Sequence, residues 1–328
     1  MDQIREVEVI VNIFLQSLGG GLQSVMKIIT MLGDEIFFIL VMPAIYWCID
    51  AAMGVRVGAM LMLSGTFNSF FKILLRGPRP YWISDQVKPG VHETSFGIPS
   101  GHAMNAASIW GWLAYEIRKR WTTIFFLLII FLIGFSRLVM GAHFLTDVLL
   151  GWLLGGILVL VFALCYKRVL AWIKKYNTGM RILLAFVTSL VIILLSLGAR
   201  AINPGWTMPA DWAARAGEVH PLSLNGATTM AGVWFGFLTG FAWLLKAKGM
   251  LDSKGYWWKR LLRLAIGLAG VMVLYLGLGA IFPDEPELLG LVLRYIRYGL
   301  IGFWVAMGAP LVFKGLKLSE FKDVPDRG

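Results

Sequence analysis

Apolar runs of about the length that crosses a bilayer recur nine times along this chain, at about 24–49, 53–75, 100–117, 122–140, 143–165, 180–199, 223–245, 261–282 and 290–313. Of the 328 residues 58% are apolar and only 15% charged, which leaves no segment for a separate soluble domain. The expected fold class is therefore all-α: a polytopic membrane bundle of about nine transmembrane helices. Ahead of the first run, residues 4–18 place Val7, Ile10, Val11, Phe14 and Leu18 on one helical face and Arg5, Glu8, Asn12 and Gln16 on the other. That pattern suits an amphipathic helix lying on the membrane, and equally a helix packed against the bundle. The opening also carries Asp2, Glu6 and Glu8 and lacks the parts of a signal peptide, so no cleaved segment is expected. Three stretches follow: an interfacial helix at 1–23, a chemically rich core of spans one to five at 24–166, and a quieter carboxyl-terminal extension of spans six to nine with its tail at 167–328.

The net charge of +11 raises the question of nucleic acid, but its distribution answers otherwise. Most Lys and Arg residues fall at 118–120, 167–181, 246–263 and 314–327, with Arg56, which are connections that nine alternating spans place on one side. By the positive-inside rule that side is cytoplasmic. The amino terminus is then outside, the carboxyl terminus inside, and the loops at 76–99, 137–143, 200–222 and 283–289 face outward; no nucleic-acid partner is expected. Cys48 and Cys165 lie far apart in predicted spans and read as small core residues rather than a disulfide or a metal site.

Three polar clusters converge on the outward face. Lys72 and Arg79 lie about two turns apart at the outer end of span two, where Pro78 and Pro80 end the helix. Pro99, Ser100, Gly101 and His102 open span three, where free amides favour an anion and Gly101 admits close approach. Arg137 closes span four, and His143 and Asp147 open span five, four residues apart and so on one helical face. Ionisable groups at membrane depth are costly and mark chemistry or a polar cavity. Three permanent cations, a helix start, two histidines and one carboxylate suit phosphoryl transfer, whose transition state spreads charge over three oxygens. Lys72, Arg79 and Arg137, with the Ser100 hydroxyl and nearby amides, would surround the phosphoryl group. His143, backed by Asp147, would attack while His102 protonates the leaving group. A zinc site built from His102, His143 and Asp147 is the alternative, disfavoured by three neighbouring cations.

This set, Lys72 with Arg79 and Pro80, then Pro99 to His102, then Ser136 and Arg137 with His143 and Asp147, resembles the signature of the type 2 phosphatidic acid phosphatase superfamily at every position. The resemblance covers roughly residues 60–155. It implies a metal-independent hydrolase with a phosphohistidine intermediate and no cofactor: His143 as nucleophile, Asp147 as its orienting partner, His102 as general acid, and Lys72, Arg79, Ser100, Gly101 and Arg137 as phosphate binders. A looser similarity to the glucose-6-phosphatase branch rests on Arg79 to Trp82, Glu93, Thr94, Gly97, Pro99 to Met104 and Ala142 to Phe144. The expected substrate is a lipid-like phosphate or pyrophosphate among membrane lipids, with a sugar phosphate as the second choice. Hydrolysis and transfer to another acceptor both remain open, as does a phosphate-binding transporter, which would not require the two histidines. Oligomeric state is not legible. The absence of an Asn-X-Ser/Thr acceptor points to a prokaryotic plasma membrane.

Lesser candidates complete the reading. His92 and Glu93 read as a solvated loop before span three, with contact to a headgroup as the alternative. Trp206, Trp212, Arg215 and His220 form an outward loop suited to interfacial anchoring or to covering the site. Arg294 and Arg297 share a face, with Glu218, Asp284 or Glu285 as expected partners.

Overall fold

The structure, a computed structural model, describes residues 3–282 and 288–322. Helices α1 (Gln3–Ser17) and α2 (Gly20–Met31) meet at a bend of 107°. They are followed by α3 (Glu35–Cys48), α4 (Ala51–Leu75), the single turn α5 (Pro80–Ile83), α6 (Gly101–Ile117), α7 (Arg120–Val139), α8 (Leu145–Lys174), α9 (Thr178–Ala201) and the short α10 (Ala210–Ala216). The chain then forms α11 (Asn225–Ala247), the strand β1 (Met250–Leu251), α12 (Trp257–Ile281), α13 (Leu288–Phe303), a π-helical turn at Trp304–Gly308, α14 (Ala309–Gly315) and β2 (Phe321–Lys322). The two-residue strands pair antiparallel. The protein is a helical membrane protein, as expected, but the count of nine spans is not reached. Among the described residues seven helices are long and apolar enough to cross a membrane, or eight if the bent pair α1–α2 is one span. The expected first span, 24–49, breaks at residues 32–34 between α2 and α3, and the expected third, α6, is 17 residues long.

The chain divides into two compact units. The first comprises 1–38, 67–163 and 196–223; the second comprises 39–66, 164–195 and 224–328. In the first unit, α6 and α8 approach through small residues. A Cβ added at Gly151 would lie 2.7 Å from Ser100 O and 3.0 Å from Ala103 Cβ, and one at Gly155 would lie 2.7 Å from both Ala107 Cβ and Met104 O. Apolar surface gives helices no reason to associate in lipid, so close backbone contact across small residues supplies the attraction. This contact brings the start of α6, with Ser100 and His102, against the start of α8, with Asp147. A buried cluster of Leu15, Met26, Ala103, Leu138, Val139, Met140, Ala142 and Val148 fills the space behind them. Arg76 ends α4 in a left-handed conformation (φ 50°) and caps the carboxyl end of α9, donating to Ala199 O at 3.2 Å, Arg200 O at 3.0 Å and Asn203 O at 2.7 Å.

In the second unit, Gly232, Gly236 and Gly240 line the face of α11 that meets the backbone of α13 and the π turn. A π turn shifts the ladder and frees carbonyls. Trp47 Nε1 donates to Val305 O and Tyr46 OH to Ala306 O, both at 3.0 Å. Fully buried Arg263 gathers Asp252 O, Ser253 O and Lys254 O, fixing the segment after β1. Among the described residues both cysteines are free, and Cys165 is exposed on α8 rather than in a core.

The glycine contact between α6 and α8 yields a test with an internal control. Gly151→Leu overfills it and should cost roughly 1–3 kcal/mol, seen as a lowered melting temperature in detergent. Gly156→Leu, where an added Cβ meets nothing within 4 Å, should leave melting unchanged. Equal effects at the two positions would contradict the packing described.

Candidate active site

Every polar residue singled out in the three sequence clusters falls in the first unit. Pro78 and Pro80 end α4 and start α5, so the chain leaves with Arg79 in an extended conformation and its side chain wholly buried. Arg79 Nε donates to Ser95 O at 2.7 Å, Nη1 to Ala142 O at 2.9 Å, and Nη2 to Phe96 O at 3.1 Å and Ser95 Oγ at 3.2 Å. Lys72, in the last turn of α4, reaches the same Ser95 Oγ with its Nζ at 2.7 Å. Ser100 is the N-cap of α6; its Oγ accepts from Ala103 N at 3.5 Å while its own N–H donates to Asp147 O at 3.0 Å. An added Cβ at Gly101 would stand 3.0 Å from Asn68 Oδ1, so the residue must stay small for α4 to pass. Arg137, in the last turn of α7 and buried, donates from Nη1 to Thr30 Oγ1 at 2.8 Å.

Glu93 joins these groups. Its Oε1 makes a close ion pair with Arg137 Nη2, and its Oε2 lies 3.7 Å from Arg79 Nη2. Beyond each guanidinium stands a histidine: Arg79 Nη1 is 3.3 Å from His143 Nε2, and Arg137 Nη1 is 3.4 Å from His102 Nε2. One carboxylate thus rests on two buried arginines, each of which touches an imidazole. The expectation of a solvated loop at Glu93 is overturned, because two guanidiniums without water need an anion. Burial raises the Glu93 pKa, but Arg79, Arg137, Lys72 and His102 outweigh it and hold the carboxyl below the ordinary carboxylate range.

His143 lies between α7 and α8 and is buried. Arginine can only donate, so the hydrogen-bond pattern assigns the lone pair to Nε2 and the proton to Nδ1. Nδ1 has no hydrogen-bond partner among the described residues and stands 3.6 Å from Asp147 Oδ2, which instead accepts Phe144 N–H at 2.9 Å. His143 precedes α8, so the two do not share a helical face as expected, yet the turn still brings imidazole and carboxylate together with their contact open; catalytic contacts of this kind are often long until substrate is bound. Burial, then Arg79, Arg137 and Lys72, push the His143 pKa well below 6.5, which keeps the ring neutral and its Nε2 lone pair available.

Two groups escaped the sequence reading. Ser95 links Lys72 to Arg79, and Arg5 of α1 bonds Asp147 Oδ1 at 3.2 Å. Three cations with Asp147 as the sole assigned acid already signalled that a further carboxylate was needed; nothing in the local pattern marked Arg5. Among the described residues no three His, Cys, Asp or Glu side chains are placed to hold a metal, so the zinc alternative finds no cluster. Trp206 and Trp212 pack with Tyr81, Trp82 and Phe96, and Arg215 pairs with Asp85 at 2.9 Å, so this segment is folded against the loop that carries Glu93. His92 packs edge-on against Tyr81. Arg297 lies over the rings of Tyr275 and Tyr298, and Arg294 over Tyr298; their expected partners Asp284 and Glu285 fall outside the described residues.

Residues 54–171 match the sequence model of the PAP2 superfamily, and residues 228–321 match that of the PAP2 superfamily phosphatase transmembrane extension. The chain is 38% identical over 112 residues to phosphatidylglycerophosphatase B of Bacillus subtilis (strain 168), covering 30% of this chain and 52% of that protein. It is 29% identical over 219 residues to glucose-6-phosphatase 3 of Homo sapiens, covering 59% of each, so it spans little more than half the length of these two relatives. Over 319 residues it is 23% identical to sphingosine-1-phosphate phosphatase 1 of Mus musculus, covering 88% of this chain and 71% of that protein. Among solved structures, the first transmembrane PAP2 type phosphatidylglycerolphosphate phosphatase from Bacillus subtilis aligns with a TM-score of 0.45 at 27% identity, over 51% of this chain and 88% of that one.

The Glu93 pair carries a pH signature. Its pKa falls on folding, so its charge stabilises the fold above the ordinary value of 4.5, and that contribution drains away as pH drops toward the lower folded value. Glu93→Gln should therefore melt below the wild type at neutral pH, by about 1–3 kcal/mol. The gap should close on acidification; a gap constant down to strong acid would show that the ion pair contributes nothing.

Proposed function

The chain belongs to the PAP2 superfamily, and from that premise we propose that it is an integral membrane phosphatase. It hydrolyses a phosphomonoester or pyrophosphate of a lipid-like substrate at the external membrane face, through a phosphohistidine on His143 and without a metal. The observation that carries this reading is the position of the Glu93 carboxylate, an anion resting on Arg79 and Arg137 with an imidazole beyond each. A phosphoryl group has the charge and size to take that seat. Arg79, Arg137 and Lys72 then turn from Glu93 and Ser95 to its equatorial oxygens, joined by the Ser100 hydroxyl and the amides at Gly101 and His102.

The chemistry balances with the residues present. His102 takes up a proton together with the bound phosphate dianion; His143 Nε2 then attacks phosphorus, the P–N bond forms as the bond to the leaving oxygen breaks, and protonated His102 gives that oxygen its proton and becomes neutral. Asp147 accepts a hydrogen bond from Nδ1–H and stabilises the charge that the ring acquires. Water then attacks the phosphohistidine with His102 as base, releasing phosphate and restoring His143. His102 Nε2 faces Arg137 in the structure described, so a phosphate that draws Arg137 away also frees His102 for its role. The relatives named phosphatidylglycerophosphatase B and sphingosine-1-phosphate phosphatase 1 favour a lipid-like substrate. The relatives named glucose-6-phosphatase, matched over much of the chain, favour a sugar phosphate as the second reading. The basic segments support the orientation given above, with the site and amino terminus outside and the carboxyl terminus in the cytoplasm, in a prokaryotic plasma membrane. In this reading spans up to 166 are catalytic and the rest is an extension.

Purified protein in chelator should release phosphate from at least one of phosphatidate, phosphatidylglycerol phosphate, isoprenoid pyrophosphate, sphingosine phosphate and glucose 6-phosphate, and vanadate should inhibit it. His143→Ala should lower kcat by at least about a thousandfold while the protein stays folded. Release abolished by chelator, or unaffected in that variant, would overturn the mechanism. Since folding places the His143 pKa below 6.5, protonation removes its lone pair only at more acid pH. The acid limb of kcat/KM should accordingly have its midpoint below 6.5, and a midpoint above that value would contradict a neutral His143 nucleophile.

A further inference from the structure

We propose that Arg5 is a positioning residue that sets the Asp147 carboxylate against His143, making α1 part of the frame of the active site; the inference rests on the phosphatase reading above. Asp147 is fully buried and carries a carboxylate into an apolar helix start. One oxygen, Oδ2, is held by Phe144 N–H and faces His143 Nδ1. The other, Oδ1, accepts from Arg5 Nη1 at 3.2 Å. The same nitrogen also reaches Thr146 Oγ1 at 3.0 Å and Glu8 Oε2 at 3.1 Å, and the guanidinium carbon stands 4.4 Å over the centre of the Phe144 ring. Arg5 thus balances the buried charge of Asp147 and holds Oδ1 while Phe144 N–H holds Oδ2, so the carboxylate cannot rotate away from the imidazole.

Arg5 is held in turn by the helix that bears it. Its polar face, Arg5, Glu8, Asn12 and Gln16, steps by three, four and four residues and so forms one stripe. Each member bonds the segment between α7 and α8 or its flanks. Glu8 Oε1 accepts Thr146 N–H at 2.7 Å, Asn12 Nδ2 donates to Leu138 O at 2.8 Å and to His143 O at 3.2 Å, and Gln16 Nε2 donates to Val139 O at 3.3 Å. The backbone of His143 itself is therefore tied to α1. The opposite face, with Ile4, Val7, Ile10, Phe14 and Leu18, is exposed from the fold, as expected of a surface covered by lipid. The amphipathic helix read from the sequence is present with its polar side turned inward. Partners that orient a reacting group through a second residue commonly change activity by 10- to 100-fold when removed.

The full-length protein tests this with a double-mutant cycle. Arg5→Gln should lower kcat about 10- to 100-fold with KM little changed. Arg5→Lys, which keeps the charge, should recover part of the loss. In an Asp147→Asn background Arg5→Gln should cost little more, because the carboxylate it serves is gone. An equal loss in both backgrounds, or a rise in KM with kcat intact, would reduce Arg5 to a structural contact and overturn the inference. If Arg5→Gln does not accumulate folded, the cycle is run with Arg5→Lys, whose partial loss should likewise vanish beside Asp147→Asn. Activity that survives His143→Ala would sink the phosphatase mechanism itself. Activity that needs His143 but is indifferent to Arg5 would sink only the present inference.

Discussion

Two guanidiniums buried away from water, Arg79 and Arg137, impose the constraint from which the rest of the first unit follows. Isolated charges of this kind are among the most costly groups a membrane protein can carry. Most of their donors are met by carbonyls of Ser95, Phe96 and Ala142, by Thr30, and by the carboxylate of Glu93, while Arg137 Nε has no partner among the described residues. Those partners come from α2, the loop before α6 and the segment after α7, so satisfying two side chains fixes the mutual placement of three stretches of chain. The same arithmetic explains why a site of this kind reads as an anion seat: a resident carboxylate can be replaced only by a group that brings at least as much negative charge.

Small residues and polar caps turn that seat into a defined geometry. Gly151 and Gly155 let α8 lie against the first turns of α6, so Ser100 and Asp147 become backbone partners. Glycine at 141 takes a positive φ of 61° at the turn into Ala142 and His143, where a side chain would be strained and would crowd Val87 and Gln16. His143 is thereby set on a turn between two long helices, its carbonyl tied to Asn12 and its imidazole aimed at Arg79.

What the sequence made legible was whatever is local. Lys72, Arg79, Ser100, Gly101, His102, Arg137, His143 and Asp147 stood out through spacing and through their cost in an apolar chain, and the structure gathers them in one unit. The count of nine spans is not confirmed where hydropathy averages over a break: residues 24–49 are mostly apolar, yet the helix stops at Leu32–Asp34, where a Cβ on Gly33 would press on Ile133 and His102. The ion pair of Glu93 with Arg137 and the bond of Arg5 to Asp147 were not legible because the partners lie 44 and 142 residues apart, and no periodicity reports contacts at that distance. The polar stripe of α1 was visible, but its direction was not, since an amphipathic pattern is the same whichever face meets the protein.

The central claim is that His143 carries the phosphoryl group between substrate and water, in the seat that Glu93 occupies in the resting fold. Rapid quenching of the enzyme with phosphate-labelled substrate, followed by alkaline digestion that preserves phosphohistidine, addresses it directly. The account predicts label on the peptide containing His143 in the wild type, none in His143→Ala, and retained label in His102→Ala, where breakdown of the intermediate is slowed. Turnover by the wild type with no labelled histidine at any time, or label on a residue other than His143, would contradict it.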